Sequence, residues 1–334
     1  MREPPNLDSE TIVRMLDTHF NTQVAALVFL PIGDDSDSWV YRVEVAGGPT
    51  YFLKVRTDMG QAPGTAVPHY LHRHGVPHVL PPLLTNTGEP FIHVNRFALT
   101  LYPMIKGSTG ADVGLSPDHW RELGAVMRQI HALPLTEALT QIARPELFRP
   151  SRRELVGDLE ARMTASTRDQ VGQELTTFWQ ARRDIIHSLI EHADVMGRQL
   201  ERLPFPRVLC HADMHAWNLL VDSKNQLWIV DWDEAILAPK ERDLMFVVGG
   251  IGASLRPGDT EWFFQGYGEA TIDQHLLSYY RYAWAVQDIC AYAADVFLSS
   301  TLRDETRRAS LEGFKNLFER GSIVDLATHG PPPA

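Results

Sequence analysis

The sequence predicts an α+β chain of two lobes, a small antiparallel β-rich lobe followed by a larger, mainly helical one. Three observations predict it. Short β-prone runs separated by turn residues fill roughly the first hundred positions. From Ser116 onward apolar residues recur at helical spacing, and a β island over residues 208–231 interrupts the helices. The lobes are expected at 1–105 and 106–334, with 106–114 as the connector.

The elements follow in order. Residues 8–20 place Ile12, Val13, Met15, Leu16 and Phe20 at helical spacing behind a polar start, so a short helix opens the chain. Strands are expected over 25–31, 39–45 and 51–55; GDDSDS and AGGPT between them are turn-formers, as an antiparallel meander requires. Residues 91–104 read as two further strands. In PDHWRELGAVMRQIHAL, Trp120, Leu123, Val126, Met127 and Ile130 share one helical face. Helices are also expected over 151–162, 170–203 and the region 261–318. Neither an internal repeat nor a low-complexity segment breaks this order before the tail HGPPPA.

Composition narrows the function classes. A net charge of −11 without a long basic run disfavours a non-specific nucleic-acid binder and favours a cationic ligand. Charges and prolines in MREPPNLDSE replace the apolar run of a secretory signal, and no stretch reaches the length of a membrane span. Two cysteines, Cys210 and Cys290, fit a reducing compartment, so a cytoplasmic protein is expected.

The chemistry concentrates in residues 208–234, VLCHADMHAWNLLVDSKNQLWIVDWDE. Apolar β-prone pieces flank the turn VDSKNQ, and polar residues gather at the strand ends. Asp213, Asn218 and Asp231 can converge there: one carboxylate faces a substrate hydroxyl, while an amide oxygen and the other carboxylate offer hard ligands to Mg²⁺. That combination serves phosphoryl transfer. His211 and His215 share the four-residue spacing of a zinc helix, but Ala212 replaces the glutamate that motif needs and the context is strand and loop. A packed, bracing role for His211 and plain exposure for His215 are the expectations.

HADMHAWN followed by IVDWDE resembles the catalytic loop and metal-binding segment of the aminoglycoside phosphotransferases, relatives of the protein kinases. The pattern H-x-D-x-x-x-x-N then D is matched by His211, Asp213, Asn218 and Asp231. DWDEAILAPKERDLMFVVGG, FFQGYGE and SYYRY are especially similar to the spectinomycin-phosphorylating branch. The resemblance implies a bilobal protein-kinase-like fold, ATP and Mg²⁺ as cofactors, and Asp213 as the catalytic base. It implies Asn218 and Asp231 as metal ligands and Lys54, on the third strand, as a point charge on the phosphates. By the same resemblance Ser36 and Ser38, with Gly33, line the phosphate loop, and Pro103, Met104 and Ile105 meet adenine through main-chain groups. One departure stands out. Between Val55 and Gly75 no glutamate is available to hold Lys54; the acid nearby is Asp58, and Pro63 and Pro68 are expected to shorten any helix there.

The implied substrate is an amine-bearing aminocyclitol or aminoglycoside, with spectinomycin foremost. Carboxylates and aromatic faces suit such a ligand, which nominates Asp233, Glu234, Tyr267, Glu269 and Tyr280. Arg242 and Asp243 are expected to form a buried ion pair beneath the loop. Two alternatives stay open: a kinase of another aminoglycoside or a small alcohol such as a sugar, choline or homoserine, and a nucleotide-binding pseudokinase. Neither a nucleic-acid nor a membrane partner is expected.

Overall fold

The computed structural model describes residues 3–33, 37–57, 63–164, 169–248, 255–299 and 302–330. The chain order in the first lobe is α1 (Ser9–Phe20), β1 (Val24–Leu30), β2 (Ser38–Val45), β3 (Thr50–Thr57), α2 (Pro63–Arg73), β4 (Ile92–Val94) and β5 (Phe97–Pro103). There follow β6 (Gly107–Thr109), α3 (Gly110–Val113), α4 (Pro117–His131), α5 (Glu137–Ile142), α6 (Val156–Thr164) and α7 (Gln170–Leu200). Next come β7 (Val208–Cys210), β8 (Leu219–Asp222), β9 (Leu227–Ile229), β10 (Ile236–Ala238) and α8 (Glu241–Val248). The chain closes with α9 (Asp259–Tyr267), α10 (Gln274–Phe297), α11 (Asp304–Asn316) and α12 (Ile323–His329). An antiparallel sheet region followed by a helical region is the kinase-like architecture the sequence leads one to expect.

In the small lobe five antiparallel strands run in the order β1-β2-β3-β5-β4. Asp8 caps α1 by accepting the Thr11 N–H at 2.9 Å, and the helix drives Ile12 and Leu16 against the sheet. On β3, Leu53 and Val55 enter that core. Strand alternation therefore puts Lys54 and Arg56 together on the other face.

Helix α2 corrects an expectation. It runs through Pro68 although proline cannot donate to the carbonyl four residues back. That carbonyl belongs to Gly64, and the Tyr102 hydroxyl donates to it at 3.1 Å. The orphaned acceptor is satisfied by this side chain of β5, so the helix persists.

The connector is also more ordered than expected: β6 pairs with β8 and leads directly into α3. A second tie joins the lobes where His78 accepts the Ile229 N–H at 2.8 Å through its carbonyl and meets the Leu227 carbonyl through Nδ1 at 2.7 Å. The 151–162 helix begins as a 3₁₀ turn over Arg153–Leu155. The 261–318 region divides into α9, α10 and α11, because Gly268 (φ 86°) ends one helix and Asp273 caps the next.

The large lobe's core gathers Trp120, Leu123, Val126, Met127 and Ile130 of α4, as their periodicity anticipates, with α7 and α10. Helices α4 and α9 approach through glycines. A Cβ on Gly124 would lie 2.1 Å from the Phe263 carbonyl oxygen, and one on Gly266 would lie 1.9 Å from that of Arg121. Backbone leaves no room to yield. Gly124→Ala is expected to destabilise the protein by about 1–3 kcal/mol, read from its urea midpoint against wild type.

Cys210 and Cys290 are free and buried. No helix among the described residues is long and apolar enough to cross a membrane.

Candidate active site

Strand β7 pairs with β10 through Cys210 and Ile236, and β8 pairs with β9 as a hairpin. Asp222 closes that hairpin by accepting the Lys224 and Gln226 N–H groups at 2.8 and 2.9 Å, which assigns it to the turn. The loop between β7 and β8, residues 211–218, carries the motif. Its shape is costly: Ala212 (φ 67°) and, after β9, Asp231 (φ 64°) hold left-handed backbone that side chains disfavour. Something must hold them there.

Asp243 does so from α8. It is fully buried, and its carboxylate accepts the N–H of His211 at 3.0 Å, the N–H of Ala212 at 2.7 Å and His131 Nε2 at 3.0 Å. With Nε2 donating, His131 Nδ1 accepts the Tyr267 hydroxyl at 2.7 Å. Burial alone would raise the Asp243 pKa; the His131 hydrogen bond and the charges and N–H groups around it hold it below the usual value. The expected Arg242–Asp243 pair does not form. Arg242 instead lies over the rings of Tyr280 and Trp284, at 5.7 and 5.2 Å. Nothing in the sequence singled out His131 except a histidine closing an apolar helical face.

His211 is the second brace. Its Nδ1 accepts the Asp213 N–H at 3.2 Å, and its Nε2 donates to the Val230 carbonyl at 2.9 Å. Both ring nitrogens are thereby committed to the fold, which leaves none for zinc. The Val230 N–H in turn donates to the Asn218 carbonyl at 3.0 Å. These bonds clip the loop to the segment bearing Asp231, and that is why residues far apart in sequence share one site.

Asp213 is partly exposed. Asn218 Nδ2 donates to its Oδ2 and to its main-chain oxygen, each at 2.8 Å. His215 corrects the expectation of plain exposure: its Nε2 lies 3.3 Å from Asp213 Oδ1, and burial, which lowers its pKa, is outweighed by that carboxylate, so the net shift is upward. With its amide nitrogen fixed on Asp213, Asn218 keeps Oδ1, which accepts no hydrogen bond among the described residues. Asp231 gives Oδ1 to Lys54 at 2.8 Å and retains Oδ2. Two hard oxygens on a clipped frame fit Mg²⁺.

Lys54 reaches this segment directly. Its Nζ lies 2.8 Å from Asp231 and 2.6 Å from Asp233, and Arg56 lies 2.8 Å from Asp233. Desolvation works against the charge on Lys54, but the two carboxylates prevail and raise its pKa. Desolvation likewise opposes ionisation of Asp231, yet Lys54 holds that carboxyl down at about 2. Asp233 is thus not where sequence reasoning put it. It is ion-paired with two cations of the sheet lobe, Lys54 and Arg56.

The remaining nominated residues divide. Glu234 is half-exposed, 3.9 Å from Arg144, and Glu269 is exposed in the loop after α9. Tyr280 is 1% exposed and packs on Tyr279, and Tyr267 is spent on His131; core packing takes both out of the acceptor surface. Ser38 is buried at the start of β2, opposite Arg56, while Ser36 and Asp58 lie outside the described residues. At the end of β5, Met104 donates its N–H to the Thr50 carbonyl at 3.2 Å. The Ile105 N–H makes no such bond among the described residues, and Pro103 is exposed beside it.

The model of the phosphotransferase enzyme family matches residues 28–285. Over 304 residues the chain is 24% identical to protein StrN of Streptomyces griseus, covering 86% of each. It is 26% identical over 247 residues to hygromycin-B 4-O-kinase of Escherichia coli, covering 72% of this chain and 66% of that one. Among solved structures, spectinomycin phosphotransferase APH(9)-Ia, in complex with ADP and spectinomycin, superposes with a TM-score of 0.84 at 29% identity, covering 98% of this chain and 99% of that one. An amicoumacin kinase at 15% identity, TM-score 0.61 over 95% of both chains, shares the fold.

Proposed function

Since the chain belongs to the phosphotransferase enzyme family, we propose that it moves the γ-phosphoryl group of ATP, with Mg²⁺, onto a hydroxyl of spectinomycin. Residues 1–105 form the nucleotide lobe and 106–334 the catalytic and acceptor lobe. The observation that carries the reading is the division of labour at the loop. Asn218 spends its amide N–H on Asp213, which leaves its oxygen for a metal ion it would hold together with Asp231, and leaves Asp213 for the acceptor.

In this scheme Asp213 accepts the hydroxyl proton and orients the oxygen, with His215 Nε2 3.3 Å from its Oδ1. Asn218 and Asp231 would hold Mg²⁺, which when bound would neutralise charge on the phosphates. Lys54 adds a fixed positive charge, and Pro103, Met104, Ile105 and Ser38 line the nucleotide. Glu234 and Glu269 are the carboxylates left for the amines of the acceptor. Spectinomycin is preferred because of the likeness to the enzyme bound to it, which spans nearly the whole chain. The catalytic geometry by itself does not choose an acceptor. Modification of an antibiotic in the cytoplasm, where ATP is supplied, makes the protein a resistance determinant.

A second acceptor merits inclusion because of the likeness to the hygromycin-B kinase. ADP release is measured with spectinomycin, hygromycin B, choline, homoserine and a hexose, each at several concentrations. The expected result is the highest kcat/KM for spectinomycin. A higher value for any other compound reassigns the acceptor, and ATP binding without turnover on any of them makes the chain a pseudokinase.

A further inference from the structure

We propose that Asp233 replaces the carboxylate missing from helix α2: it is the positioning residue that holds Lys54 for the nucleotide phosphates, and Gly64 keeps open the space it needs. The inference rests on the phosphotransferase reading for the role of Lys54, and on geometry for the rest. Lys54 Nζ meets Asp233 Oδ2 at 2.6 Å, with side chains 11% and 16% exposed, so both charges are largely removed from water and depend on each other. Arg56, 2.8 Å from the same carboxylate oxygen, supplies a second cation beside it.

The described residues of α2, PGTAVPHYLHR, contain no acid. Where its first turn approaches the site stands Gly64, and a Cβ there would lie 1.8 Å from Asp233 Oδ1 and 3.2 Å from the Asp233 Cα. Any side chain at 64 therefore collides with this carboxylate in its present place. The helix cannot back away at low cost, because Tyr102 fastens the Gly64 carbonyl and thereby also resolves the missing donor of Pro68. Glycine, proline and tyrosine together seat a helix without a carboxylate against a carboxylate from the other lobe.

Two consequences follow. Lys54 also touches Asp231, whose free oxygen is one of those that suit Mg²⁺; were Asp231 engaged by the metal, Asp233 would remain as the anchor of the lysine. And the anchor crosses between lobes, from β3 to the segment after β9, so Lys54 is placed only while the lobes are together. In this chain the placement of the phosphate-binding charge is coupled to the approach of the two lobes.

The test uses the full chain and reads MgADP affinity by calorimetry, independent of turnover. Asp233→Asn is expected to weaken MgADP about tenfold or more, the loss of one charge-assisted contact. Gly64→Ala, which keeps every charge, is expected to weaken it as well by displacing Asp233. It also serves if Asp233→Asn folds poorly by circular dichroism. The double variant Asp233→Ala with Gly64→Glu, which moves the carboxylate onto α2, is expected to recover part of the affinity lost in Asp233→Ala alone. Unchanged MgADP affinity in both single variants overturns the proposal. So does a selective loss of spectinomycin binding with MgADP unaffected, since that outcome makes Asp233 an acceptor contact. A wild-type protein that binds MgADP but phosphorylates no acceptor refutes the catalytic reading while leaving this measurement valid.

Discussion

Replacing Asp213 with alanine is expected to lower kcat by about 10²–10⁴-fold, the usual contribution of a positioned general base. Asp213 is the carboxylate in the loop that no lysine or arginine occupies, and Asn218 and His215 hold it from the side. In the proposed reaction it is the group that takes the proton of the acceptor hydroxyl. Asp213→Asn keeps the size and loses the charge, so it should fail almost as badly. Because Asp213 is partly exposed and Asn218 keeps its second hydrogen bond to the Asp213 main-chain oxygen, both variants should stay close to wild type in melting temperature and MgADP affinity. Single-turnover kinetics with saturating ATP separates the chemical step from binding. Near-normal rates in either variant would show that the hydroxyl is deprotonated without this group.

Asp243→Ala acts through folding. The carboxylate is 0% exposed and meets two main-chain N–H groups and one imidazole, so its removal strands three buried donors at once. A loss of about 3–5 kcal/mol is expected, comparable to breaking a buried charged pair. Ala212, no longer held at φ 67°, relaxes, and the loop bearing Asp213 should lose its register along with activity. Asp243→Asn retains shape but presents N–H to N–H on one side, and should lie between alanine and wild type. The pH dependence carries a sign. The folded pKa of Asp243 is below its unfolded value, so its contribution is full above about pH 4 and disappears as pH falls through the folded pKa. Urea midpoints for wild type and Asp243→Ala should therefore converge on acidification below about pH 4. Parallel curves down to the acid limit would mean that the charge on Asp243 does not stabilise the fold.

Sequence periodicity and local chemistry carried different parts of this molecule. The meander, helix α4 and the pairing of Asp213 with Asn218 were readable because each depends on spacing within one short stretch. What escaped depends on contacts distant in sequence. Asp233 looked open to a cationic acceptor until strand β3 brought Lys54 and Arg56 to it, across separations no local pattern records. Pro68 looked like a helix stop because its compensation, a tyrosine hydroxyl, comes from another strand. His131 and Asp243 were missed as a unit for the same reason, and Arg242, the obvious neighbour by sequence, turned out to pack on aromatic rings instead. Tyr280 was eligible by type alone, and burial withdrew it.

The mass spectrum of spectinomycin after incubation with the purified protein, ATP and Mg²⁺ bears most directly on the proposed reaction. A single phosphorylated product, dependent on Mg²⁺ and absent with Asp213→Ala, is expected. Unmodified spectinomycin from a protein that binds MgADP, or equal product from Asp213→Ala, would contradict it.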